Sequence, residues 1–209
     1  MLEDREALER AVRACCDAGE YEGAATLVIR GYGRELLGFL LSRLRDADDA
    51  SEVFSDFAED LWRGLAAFEW RCSMRSWAYT LARHAMSHHL GAVRKHRKRH
   101  VGLSDAPELS RAEKQMRTET LAALRTATKT RIAALRERLP PDDRDLLVLR
   151  VNRKLDWREI AHVLLFRGES LSDEALDREA ARLRKRFQLA KVRLRQMAMD
   201  DGLLGPETG

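Results

Sequence analysis

The chain has little of what stiffens or cross-links a protein. Its 209 residues include only four prolines and twelve glycines, while Ala, Leu, Arg and Glu dominate. That composition favours an all-α protein. Strand signals are scarce. The one β-friendly run, "LLVLRV" at 146–151, sits between helical patterns and reads as helix. The three cysteines are Cys15, Cys16 and Cys72. Two adjacent thiols and a distant third give neither a disulfide framework nor zinc-ligand spacing, so inert thiols in a reducing compartment are expected. No apolar stretch approaches membrane-spanning length, and "MLEDREALER" has no signal-type apolar region. The expected location is therefore cytoplasmic, with no membrane insertion.

Catalytic signatures are missing too. There is no Gly-rich phosphate loop, P-loop or nucleophile elbow. His84 and His88 are one turn apart and His89 adjoins, but no Glu lies between them in the HExxH manner, and spacing supplies no third ligand. Neither an enzyme, a metal site nor a cofactor is expected.

What the chain has is charge sorted by place. The net charge is only +4. Yet 94–100 reads "RKHRKRH" and 180–195 reads "AARLRKRFQLAKVRLR", both free of acids, whereas 46–60 carries seven acids and no Lys or Arg. Separate basic and acidic zones imply two kinds of partner, a polyanion such as nucleic acid and something basic.

Periodicity predicts two helical domains. Helices are expected near 3–17, 21–45 (weakened at Gly31, Gly33 and Gly38), 46–65 and 73–96. The third, "DASEVFSDFAEDLW", places Val53, Phe54, Phe57, Ala58 and Leu61 on one arc and Asp49, Glu52, Asp56, Glu59 and Asp60 opposite. Asp46 or Asp48 is its expected N-cap, and Ser73 that of the fourth. "HVGLSDAPELS" breaks the pattern, so 1–100 is the first domain and 101–130 a charged linker, partly helical. The second domain, 131–199, has a proline-started helix at 141, then "DWREIAHVLL" with Asp156 and Glu159 at capping-box spacing, then a long basic helix from about Ser172. Residues 200–209 form a tail.

A short helix, a capped helix and a basic helix make a helix-turn-helix. Two blocks, "DASEVFSDFAEDLWRGLAAFEWRCSMRSWAYTLARHA" and "LPPDDRDLLVLRVNRKLDWREIAHVL", with "LRKRFQLAKVRLR" after them, resemble the extracytoplasmic-function sigma factors, two-domain promoter-specificity subunits of bacterial RNA polymerase. Asp49, Ala50, Glu52, Trp62, Arg63, Leu65, Phe68, Ser73, Arg75, Trp77, Tyr79, Ala82 and Arg83 match that family's pattern in register.

The resemblance implies a function and its residues. Asp49, Glu52 and Asp56 would dock on a basic coiled-coil of the largest subunit of core RNA polymerase. Arg75, Trp77, Tyr79, Arg83, His84, Arg94 and Lys95 would contact and help melt the promoter −10 element, holding an unstacked base. Arg182, Arg184, Lys185, Arg186 and Gln188 would read the double-stranded −35 element in the major groove. An anti-sigma protein would hold the chain inactive. Three departures stand out: His84 where the family usually has Asn, Ser55-Asp56 for Gln-Glu, and an insertion at 166–181. The usual turn has three or four residues. Here either a long loop or a backward extension of the recognition helix must absorb roughly a dozen more. The alternative reading is a stand-alone helix-turn-helix regulator that never binds core polymerase.

Overall fold

In the computed structural model, which describes residues 2–92, 106–125, 131–165 and 172–203, nine α-helices form among the described residues and no strand does. The chain divides into two helical units between residues 126 and 127. The stretch "RKHRKRH", with Arg94 and Lys95, lies outside the described residues, as does 166–171.

The first unit holds α1 (Leu2–Asp17), α2 (Tyr21–Leu44), α3 (Ala47–Gly64), α4 (Met74–Ala92) and α5 (Pro107–Arg125), with a 3₁₀ turn at Leu65–Ala67. The central α2 touches all four others. Ala24, Ala25, Val28, Ile29, Leu36, Leu37, Phe39 and Leu40 are fully buried on it. Each large aliphatic or aromatic side chain so buried contributes about 1.5–3 kcal/mol. The glycines that mark α2 as weak in sequence do not interrupt it. They admit neighbours. A Cβ on Gly31 would stand 2.2 Å from Leu8 Cδ2 on α1, and one on Gly33 would stand 3.0 Å from Met116 Cε on α5. Arg45, at φ 62°, turns the chain out of α2. Asp46 then starts α3, its Oδ1 accepting from the amides of Asp48 (2.8 Å) and Asp49 (2.9 Å).

The stretch expected as linker contains a packed helix. α5 lies against α2 and α3, with Leu109, Ala112, Met116, Glu113 and Thr120 buried. Its apolar positions are sparse because small and polar residues complete the contact: Ser55 on α3 donates to Glu113 Oε1 (2.9 Å), and Arg117 Nη1 bonds both Ser55 Oγ (3.1 Å) and Glu113 Oε1 (3.2 Å).

The second unit holds α6 (Arg131–Glu137), α7 (Pro141–Leu147), a π-turn at Val148–Asn152, α8 (Trp157–Leu165) and α9 (Asp173–Asp200). Pro141 stands at the first helical position of α7, where a missing N–H costs nothing. Asp156 and Glu159 form the reciprocal capping box, each backbone amide donating 2.8 Å to the other's carboxylate. Leu146, Leu147, Leu149, Leu155, Ile160, Ala161, Val163, Leu183, Phe187 and Ala190 make the core. The later part of the insertion, from Asp173 on, belongs to α9, a single 28-residue helix capped by Ser172 Oγ on the Ala175 amide (3.2 Å).

Candidate acidic docking face and basic reading helix

α3 buries Ala50, Val53, Phe54, Phe57, Ala58 and Leu61. Its helical spacing puts Asp48, Asp49, Glu52, Asp56, Glu59 and Asp60 on the other side as a ridge of carboxylates. The three predicted docking residues therefore share one face. α4 lines one edge of this ridge. Asp49 Oδ1 lies 3.3 Å from His89 Nε2, whose side chain is 9 % exposed against 46 % for Asp49. The Asp60 carboxyl is pushed above the usual carboxylate range by burial, then by Asp56; His88, Arg63 and His84 oppose that rise. α5 lines the other edge through Ser55, Glu113 and Arg117.

On α4, three of the residues expected to contact the −10 element lie inside the unit. Arg75 is 4 % exposed and forks onto Glu35 of α2, Nε to Oε1 at 2.6 Å and Nη2 to Oε2 at 2.9 Å. Tyr79 is fully buried, edge-on to Phe39 with ring centroids 5.6 Å apart. Trp77 is buried and stacks on Phe68 at 4.5 Å, its ring occupying the space a Cβ on Gly64 would need. Glu35 and Phe39 are one turn apart on α2, Arg75 and Tyr79 one turn apart on α4, so the pairs match. These three side chains build the interior. Arg83 and His84, one to two turns on, are half-buried and His88 is exposed. Among the described residues no three of His, Cys, Asp and Glu are grouped to hold a metal ion.

Sequence reasoning missed the residue that starts α4. Glu9 on α1 accepts from the amides of Met74 (2.8 Å) and Arg75 (3.1 Å) and from the Tyr32 hydroxyl (2.9 Å). Burial, then Glu9, holds that hydroxyl's pKa well above its ordinary value. Glu9 thus acts as an N-cap from another helix, beside the Ser73 hydroxyl, which accepts from the Ser76 amide at 3.1 Å.

On α9, Arg182, Arg184, Lys185 and Gln188 are exposed. Arg182 pairs with Glu179 at 3.6 Å, and Arg184 lies 6.0 Å from the Trp157 ring centroid. Arg186 is engaged within the unit. Its Nε bonds Asp143 Oδ1 at 2.6 Å, and Arg193 Nη1 bonds Asp143 Oδ2 at 3.0 Å. The Asp143 side chain is 3 % exposed, so α7 fastens α9 through a buried carboxylate shared by two guanidinium groups. The acidic first turns of α9 are held by α8: Arg158 bonds Asp173 and, at 3.1 Å, Asp177.

Residues 28–99 match the Sigma-70 region 2 family. The chain is 28% identical over 176 residues to RNA polymerase sigma factor YlaC of Bacillus subtilis, covering 78% of this chain and 91% of the relative. It is 26% identical over 187 residues to RNA polymerase sigma-H factor of Pseudomonas aeruginosa, covering 83% and 94%. No solved structure matches it. Among the described residues no helix is long and apolar enough to cross a membrane. With most of α2 and all of α3 and α4 inside the matched segment, the chain carries a sigma-70 region 2 domain and is a distant homologue of two bacterial sigma factors.

Proposed function

We propose that the chain is an alternative sigma factor of the extracytoplasmic-function type, which binds core RNA polymerase and directs it to promoters. The observation that carries this reading is the carboxylate ridge of α3. Six carboxylates repel one another there along one side of a single helix. A basic surface brought against the ridge relieves that repulsion, fixes orientation and speeds encounter. Asp49, Glu52 and Asp56 are its docking residues, and the coiled-coil of the largest polymerase subunit is the partner that the family resemblance supplies.

DNA contact follows from the basic helices. Arg83, His84 and the stretch with Arg94 and Lys95 serve the −10 element, where an unstacked base is held after melting at a cost of a few kcal/mol. α9 reads the −35 element as duplex. The chain performs no covalent step; it positions polymerase. Its acidic and basic faces are the surfaces an anti-sigma protein would cover.

The test is a titration of the labelled chain against purified bacterial core polymerase, beside an Asp49→Arg/Glu52→Arg/Asp56→Arg variant with native circular dichroism. The native chain binds, and the variant binds roughly a hundredfold more weakly or not at all. A native chain that binds promoter DNA but no core polymerase is instead a stand-alone helix-turn-helix regulator.

A further inference from the structure

Four large apolar side chains stand exposed among the described residues, and two of them share one face of α9: Leu189, 59 % exposed, and Val192, 65 % exposed. They do not belong to the core stripe, which runs through Leu183, Phe187 and Ala190. Taking the helix at 100° per residue, Lys185, Gln188, Leu189 and Val192 follow at i, i+3, i+4 and i+7 on the side away from that stripe. Leaving two branched side chains in water forgoes burial of a kind that stabilises by about 1.5–3 kcal/mol apiece.

The surroundings indicate what covers them. Arg182 borders the face on one edge, and Arg184, Lys191 and Arg195 border it on the other. Cations along both edges of an outward helical face match a helix lying between two phosphate backbones. The cations that do not suit this arrangement are used within the unit: Arg186 and Arg193 turn to Asp143. The helix also has a part that does not suit DNA. Asp173, Glu174 and Asp177 occupy its exposed start, Asp173 and Asp177 tied to Arg158. At 28 residues α9 is about 42 Å long, several times the ~12 Å width of the major groove. Only a portion can lie against bases, and phosphates repel the acidic portion.

We propose that α9 enters the major groove by its middle, and that Lys185, Gln188, Leu189 and Val192 are its specificity-determining face, selecting an element built on A·T pairs. This rests on the reading of α9 as a duplex-binding helix. Gln188 suits the N6/N7 edge of adenine, and the aliphatic pair suits the C5-methyl groups of thymine. Lys185 takes a purine acceptor or a phosphate at the start of the element.

The test uses the full chain with core polymerase to select duplexes from a library randomised upstream of a fixed −10 region. The selected −35 element is then remade with deoxyuridine for each thymine, which deletes only the methyl group. Affinity of the native chain falls about fourfold for each contacted methyl. A Leu189→Ser/Val192→Ser variant, which alters only exposed side chains, binds more weakly and no longer distinguishes thymine from uracil. Selection of a defined element with no A·T positions, or a variant with native affinity and native preference, overturns the proposal while leaving α9 a DNA reader, and assigns the apolar pair to a protein partner. Selection of no upstream element at all removes the DNA-reading role of the second unit and this proposal with it.

Discussion

α4 and α9 carry the same ingredients, cations and aromatics at helical spacing, and the fold uses them differently. α4 packs against both α2 and α3, so its first turns have no free side. Arg75, Trp77 and Tyr79 go inward, and Arg83 and His84, further along, are half-buried. α9 packs on one side only, against α6, α7 and α8, and four of its five predicted readers stay outside. The number of neighbouring helices decides whether an arginine or an aromatic is structure or surface. In both helices one arginine pairs with a largely buried carboxylate on another helix, the buried Arg75 with Glu35 and the part-exposed Arg186 with Asp143.

That contrast breaks most visibly at Arg75. Arg75→Ala leaves Glu35 without its partner in a largely buried place and destabilises the first unit by about 3–5 kcal/mol, read as a lower urea midpoint of the full chain. Asp143→Ala costs less, about 1.5–3 kcal/mol, because the two guanidinium groups it releases reach water. Its effect is confined to the transition of the second unit, followed by Trp157 fluorescence. The exposed side of α9 sharpens the contrast: Arg182→Ala leaves both unfolding transitions in place yet lowers the salt dependence of −35 binding by about one phosphate contact, measured by anisotropy across a salt series.

The smallest expected effect lies on the α3 ridge. The folded-state pKa of Asp60 is raised, so ionising it opposes folding. The penalty is absent below the unfolded carboxylate pKa and grows as pH rises through the folded one. Asp60→Asn therefore raises the urea midpoint modestly at neutral pH, and the gain fades in acid. A gain that persists unchanged in acid would assign it to something other than the charge.

Local chemistry made much of this legible. Asp46, Ser73, Asp156 with Glu159, Pro141 and Ser172 announce helix starts because a cap acts within three residues of itself. The acidic and basic faces follow from spacing alone. What was not legible depends on partners far along the chain. Glu9 caps a helix that begins at Met74. Gly31 and Gly33 look like breaks until Leu8 and Met116 arrive. That Arg75 and Tyr79 meet Glu35 and Phe39 depends on α2, some forty residues earlier in the chain. α5 looked like linker because its contact with the body of the unit rests on a serine, a glutamate and an arginine as much as on Leu109 and Met116.

The docking of α5 has a practical side for anyone dividing this protein. A boundary drawn at the change of composition near residue 100 yields a fragment that ends before the fifth helix. Such a fragment bares the side of α2 around Gly33 that Met116 covers and strips Ser55 of both its α5 partners. It would be prone to pair with itself through that strip. The same holds during synthesis: four helices leave the ribosome before the one that closes them, and until α5 follows, the half-made domain is a client for whatever binds exposed apolar surface.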